Sequence, residues 1–392
     1  MDNIKMFIDA NKSYSKHKIK ISNAKTFIYK TDSDMIGLSE ISKILKFICE
    51  LDKKKLLSTL PIEINLKKGI FEDKLSYILL ECICYYLINN GKSILYLKYD
   101  CQPTICNEGI EHSCLKYINK KDGGEKEFLD KFNFDIYKKH YRKIIHHCNV
   151  RDDQVSITVQ DIDSYMKNCG IHESFRARIS DVVGELVDNA LEHSKSDCLI
   201  DIDITDLYRK KADSYDSDDK YQGLNIVVLN FSEILLGQSI AKKISYLVEK
   251  PEIRTKRYNE VMKAKEFHSY HWTDCYTEDD FNIITSFQHK ISCRIDACST
   301  GGTGLTSLIK ALEDDSDAYE CYVLSGKRKI NFIKSMLIYN EEGWVGFNQS
   351  GNYLSDIPDR DCLENSKMNF VGTAYNLNFA MKYEVIKDEA SY

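Results

Sequence analysis

Apolar side chains repeat at helical spacing from Ile179 to Leu191, where Ile179, Val182, Val183, Leu186, Val187, Ala190 and Leu191 share one face. Helices are likewise expected over Leu38–Leu51, over Asp73–Asn90, near Ile162–Cys169 and over Leu305–Leu312. The Asp73–Asn90 face runs through Leu75, Ile78, Leu79, Cys82 and Tyr86, and Asn89-Asn90-Gly91 stops it. Alternation at period two marks strands at Pro61–Leu66 (PIEINL), Ser93–Tyr99 (SILYLKY) and Cys198–Thr205 (CLIDIDIT), the last half-buried. Leu224–Leu229 (LNIVVL) is apolar throughout and closes a hairpin with it. Residues 1–36 are polar and lean to strand, with Ile19, Ile21, Phe27 and Tyr29 at strand positions. Phe128–His147 reads as a helix joining two halves of the chain. Asn119–Glu127 and Asp206–Gly223 read as charged loops.

Strand, helix and strand follow one another in the first part, which is a βαβ-type order. The chain is therefore expected to be α/β, with a smaller N-terminal α/β domain over 1–140 and a second domain over 155–385. A long, mostly helical insertion is expected near 239–298.

Composition narrows the class. The chain has 392 residues, of which 43% are hydrophobic and 29% charged, as in ordinary globular proteins. With 54 basic and 60 acidic residues the formal charge is −6, so there is no global electrostatic case for direct binding of nucleic acid or an anionic membrane. No secretory signal precedes the 14 cysteines, which read as reduced buried thiols. Tyr77–Ile88 is the longest apolar run and is too short to span a bilayer. A cytoplasmic protein without membrane segments is expected.

Candidate chemistry collects in two places. Glu185 and Asn189 lie four apart and so share one helix face, while Asp188 points elsewhere. A carboxylate that orients water and an amide oxygen that ligands a metal suit a magnesium–nucleotide site. An amphipathic helix with a solvated polar face has the same pattern. Downstream, Gly301, Gly302, Thr303, Gly304 and Leu305 lead into a helix, and free amides at such a start bind phosphate. No Gly-Lys-Ser/Thr follows, so this is not a Walker loop. The insertion carries Lys242, Lys243, Lys250, Arg254, Lys256, Arg257, Lys263 and Lys265, which either close over phosphates or face solvent on a helical hairpin. Cys101, Cys106, His112 and Cys114 lack the paired spacing of a strong zinc site and read as a loop with incidental thiols.

The ordered series ELVDNALEHS, hairpin, insertion, TGGTGL and a late Val371-Gly372-Thr373 strand resembles the Bergerat-fold ATPases. These are gyrase, the ninety-kilodalton heat-shock chaperones, histidine kinases and mismatch-repair ATPases, together called GHKL. The resemblance covers roughly Ile162 to Tyr383. It implies a two-layer α/β sandwich with a mixed, mostly antiparallel sheet, and ATP with magnesium as ligands. It implies that Glu185 polarises the attacking water, that Asn189 holds magnesium, that the 301–305 loop cradles phosphate and that Thr373 lies near the base. The adenine-reading aspartate of that class falls at Asn230, and Ser232 stands where a glycine is usual; both are departures. An asparagine carbonyl accepts from the adenine amino group, but its own amide NH₂ competes. The N-terminal half lacks a histidine-kinase dimerisation pattern, and a transducer domain of the gyrase type is not expected after Thr373. ELVDNALEH also resembles the anti-sigma serine kinases, where a histidine often follows at the spacing of His193. Implied functions are an ATPase switch acting through a partner protein, a protein kinase, or a nucleotide-binding scaffold that does not turn over. A homodimer is compatible with all three.

Overall fold

The structure, a computed structural model, describes residues 3–13, 18–89, 94–99, 104–105, 108–109, 113–149, 151, 153–208, 221–292, 304–315 and 321–382. It is an α/β fold. The first part runs α1 (Ile4–Lys12), β1 (Lys20–Ile21), β2 (Phe27–Lys30), β3 (Met35–Ile36), α2 (Leu38–Lys53), β4 (Ile62–Asn65), β5 (Ile70–Phe71), α3 (Lys74–Asn89), β6 (Leu95–Lys98), β7 (Thr104–Ile105), β8 (Glu108–Gly109) and α4 (Gly124–Asn133). The second runs β9 (Phe134–Tyr137), β10 (His140–Ile145), α5 (Gln154–Asn168), α6 (Glu173–Asp188), β11 (Cys198–Tyr208), β12 (Tyr221–Asn230), α7 (Gln238–Glu249), α8 (Lys256–Ser269), α9 (Glu278–Ser286), α10 (Gly304–Asp315), β13 (Tyr322–Asn331) and β14 (Leu363–Lys382).

The βαβ order produces the expected N-terminal sheet. β2, β4 and β6 are parallel, with β1 antiparallel at the edge. A smaller sheet has the order β3-β5-β7-β8. Two expectations fail here. The opening residues form α1, because Ile4, Phe7, Ile8 and Asn11 fall on one buried helical face. The span 128–147 is a helix only as far as Asn133; β9 and β10 follow and pair with each other. In β10 the polar His140 and Arg142 are buried, which hides the strand alternation in the sequence.

The large sheet has the order β13-β14-β12-β11-β10-β9 and so begins at Phe134. Each neighbouring pair is antiparallel, where a mixed, mostly antiparallel sheet was expected. Hairpins at β9–β10 and β11–β12 and a long return between β13 and β14 reverse the chain each time. Both faces of this sheet are buried. Ile200, Ile202, Ile226, Val228, Leu377 and Phe379 pack on α5, α6 and α10, in one core. Leu199, Val227, Leu229, Tyr322, Leu324 and Ala374, one residue out of phase, pack on the N-terminal helices in a second core. The sheet thus lies between two packed cores, where a two-layer sandwich was expected. Each large aliphatic side chain so buried contributes about 1.5–3 kcal/mol relative to exposure.

The strand CLIDIDIT is therefore not half-buried. Asp201 and Asp203 face α3, and the acids are matched from two elements, α3 and β10. Lys74 Nζ lies 2.5 Å from Asp201 and also bonds Asp203. Arg142 bonds Asp201 and donates to Glu81 at 2.6 Å. His140 bridges Asp135 at 3.0 Å and Asp201 at 3.1 Å, and the Tyr77 hydroxyl donates to Asp203 at 2.9 Å. Burial opposes charge on all of them, but the opposite charges win: the Asp201 carboxyl is held well below its usual range and Lys74 is raised. His140, Asp201 and Asp203 carry a cation-ligating donor set, yet the Lys74 ammonium already supplies the positive charge there.

The described residues after Gly237 form α7, α8 and α9, and they are anchored in the core. Phe281, Ile284 and Phe287 of α9 and its end pack with Phe332, Trp344, Phe347 and Tyr353. Arg257 stacks over the Trp344 ring at 3.4 Å and donates to the carbonyls of His289, Glu342 and Gly343. Seven described cysteines are buried: Cys49, Cys82, Cys84, Cys114, Cys198, Cys321 and Cys362. Cys101, Cys106 and His112 lie outside the described residues. Among the described residues no helix is long and apolar enough to cross a membrane.

Candidate functional site

α6 ends where the site begins. Its apolar face, Ile179 through Val187, is anchored in the core, which fixes the opposite face of its last turn. The helix then widens into one π turn, Asn189–His193, in which the amide of Ser194 donates to the Asn189 carbonyl at 3.2 Å. Single π turns are frequent at functional sites. Ser196, just beyond, is 1% exposed.

A cavity of about 270 Å³ opens against this turn. It is lined by Glu185, Asp188, Asn189 and His193 from the helix end, by Asn230 of β12, and by Thr373 and Tyr375 of β14. Ile234, Leu236, Ile240, Ile291 and Leu305 supply apolar walls. Of the expected site residues, Glu185, Asn189, Asn230, Leu305 and Thr373 thus border one cavity. Gly301, Gly302 and Thr303 lie outside the described residues, and Gly304 begins α10. Asp188 also borders the cavity, although helical spacing aims it elsewhere; the cavity caps the end of α6 rather than flanking one face. None of the eight basic residues of the insertion is part of the lining. Arg254 instead donates to the Leu247 and Val248 carbonyls, and Lys265 pairs with Glu278 at 2.6 Å.

The floor is set by strand pairing. Asn230 is the last residue of β12, with Cys198 on one side and Thr373 on the other. It is 3% exposed, and its Nδ2 donates to Ser196 Oγ at 2.8 Å. Ser232 donates to the Ser194 carbonyl at 2.9 Å and accepts from the Ile234 amide at 3.0 Å, tying the chain after β12 to the end of the π turn. Ser196 was not readable as a site residue, since its partner Asn230 lies on another element, whereas Ser232 stood out only as a departure from the resemblance.

Two glycines are required. Gly237, at φ +85°, starts α7 with its backbone against Asn282 and Ile283, where a Cβ would fall 2.8 Å from the Ile283 nitrogen. Gly372, at φ +122°, lies so near β12 that a Cβ would sit 2.0 Å from the Asn230 carbonyl oxygen. Gly372→Ala is therefore expected to displace Thr373 from Asn230 and to cost on the order of 1–3 kcal/mol in backbone strain alone. Thermal unfolding checks it: an unchanged midpoint would show that β14 does not need this approach.

The arrangement offers an apolar-walled slot with an amide at its floor and carboxylates, an amide and an imidazole at one end. Comparison of the chain with protein-family models, with curated proteins and with solved structures gave no match.

Proposed function

We propose that this chain is a GHKL-type ATP-binding protein of Bergerat fold, a magnesium-dependent ATPase switch that acts through a partner protein. One observation carries the reading. Glu185 with Asn189, Asn230, Leu305 and Thr373 come from four separate parts of the sequence, and all five residues border a single cavity. The donor set fits the ligands: an amide oxygen and carboxylates at one end suit a hard cation, and the apolar slot suits a purine. Magnesium, when bound, would neutralise phosphate charge. Asn189 would hold the cation through its amide oxygen. Glu185, one turn earlier, orients a water and takes its proton. The start of α10 presents backbone amides toward phosphate.

Asn189→Ala is expected to raise the Kd for Mg-ATP on the order of 10- to 100-fold, by leaving a ligand position of the cation to water. Calorimetry with and without magnesium checks it, and an unchanged Kd would sink the assignment. The buried Asn230 amide also supports a second reading, a scaffold that binds without turnover. Incubation with labelled ATP, with and without partner proteins, separates the outcomes: free phosphate marks a hydrolase, phosphoprotein a kinase, and neither a scaffold.

A further inference from the structure

We infer that the cavity floor accepts both amino- and oxo-purines, because Asn230 and its neighbours form a charge-free relay that reads either one. This rests on the nucleotide reading above and concerns which bases the same site takes.

The relay has three members. Ser196 is 1%, Asn230 3% and Thr373 8% exposed. Asn230 and Thr373 face each other as strand partners and both border the cavity. Ser196 touches the Asn230 amide from behind, at 2.8 Å. Each member both donates and accepts: two are hydroxyls, and an amide carries an acceptor at one end and a donor at the other.

An amide's two ends have nearly the same shape, so turning it over costs no packing. With Nδ2 on Ser196, the Oδ1 end is left for the cavity and accepts from the exocyclic amino group of adenine. Turned over, Oδ1 accepts from the Ser196 hydroxyl, and Nδ2 is left to donate to the exocyclic oxygen of guanine. The Thr373 hydroxyl follows either arrangement: it donates to the unprotonated ring nitrogen of adenine or accepts from the protonated one of guanine. Ser232 does not join the relay, because its hydroxyl is already committed to the Ser194 carbonyl and the Ile234 amide. A carboxylate at position 230 would remove the choice, since it only accepts and would face the guanine oxygen with negative charge.

The test is calorimetry on the full chain with Mg-ATP, Mg-GTP and Mg-inosine triphosphate, the last carrying the oxo group alone. The expected result is three dissociation constants within about tenfold of one another, less than the loss from one unpaired buried polar group. In Asn230→Asp, both oxo-nucleotides should weaken on the order of 10- to 100-fold, with ATP retained. Strong binding of ATP with both oxo-nucleotides more than about tenfold weaker would overturn the relay and leave the nucleotide site standing. Binding of oxo-nucleotides alone would also overturn it. An unchanged ratio in a folded Asn230→Asp protein would overturn the role of Asn230. Binding of none of the three would instead remove the nucleotide reading itself. Should Asn230→Asp fail to fold, the comparison of the three nucleotides on the wild-type chain decides alone.

Discussion

Glu185→Gln is expected to lower ATP turnover by roughly 10²–10⁴ while leaving nucleotide affinity nearly unchanged. The substitution keeps the size of the side chain and its capacity for hydrogen bonds. What it removes is the ability to take a proton from the attacking water. Glu185 is half-buried in the last turn of α6 and borders the cavity together with Asn189, one turn later. A group that acts only as charge develops on the water is worth little in the ground state, so the loss belongs to kcat. Single-turnover assays beside equilibrium binding separate the cases. Weaker binding and a lower Tm together would identify Glu185 as a structural residue instead. A wild-type protein without turnover, alone or with partners, would leave the scaffold reading.

Lys74→Met is expected to cost about 3–5 kcal/mol of folding stability, the usual result of removing one partner from a buried ion pair. The Lys74 side chain is 2% exposed, and Asp201 is fully buried beside it. Methionine fills much of the same space, so the loss reports charge rather than volume. Adding Asp203→Leu to Lys74→Met should recover part of it, because the remaining Asp201 keeps Arg142 and His140. Denaturant titration measures both, and a single variant as stable as wild type would refute the network's role. The same cluster sets a pH dependence. Burial disfavours the His140 imidazolium, but Asp201, Asp203 and Asp135 outweigh it and raise its pKa from 6.5 to about 9. Its contribution to stability is thus fully present below pH 6.5 and is lost as pH rises through about 9. His140→Gln should flatten that alkaline fall.

Much of the secondary structure was legible because local pattern and tertiary role agreed. α2, α3, β4, β6 and α10 follow their apolar periodicity closely. Two of the misses share one cause: polar residues whose partners lie elsewhere in the chain. His140 and Arg142 broke the alternation of β10, and the two acids of β11 looked solvated, until α3 supplied Lys74 and Tyr77. The 332–362 segment buries Trp344 and Tyr353 without any helix or strand period to announce them. At the site, helical spacing was enough to pair Glu185 with Asn189. Nothing local joins Asn230 to Thr373; that contact comes from the antiparallel register of β12 and β14 and was anticipated only through the Bergerat resemblance. Ser196 gave no signal, since it reaches the site through the end of β12, and Asp188, the last residue of α6, was set aside because helical spacing turns it away from Glu185 and Asn189.

The sheet buried on both faces bears on how the chain is cut for experiment. Phe231 directly follows Asn230, yet its ring stacks on Phe7 of α1 at 5.4 Å and lies 5.4 Å from Phe370. Asn11 Nδ2 donates to the Asn369 carbonyl at 2.8 Å, and the Ser42 hydroxyl donates to the Lys367 carbonyl at 2.7 Å. A fragment trimmed to the second half would lay bare Leu199, Val227, Leu229, Phe231, Tyr322, Leu324 and Phe370 as one greasy plane beside the cavity floor. Such a fragment invites aggregation, and its assays would report on a β12 end stripped of its backing. Expression of the undivided polypeptide is the sound starting material for every measurement on this site.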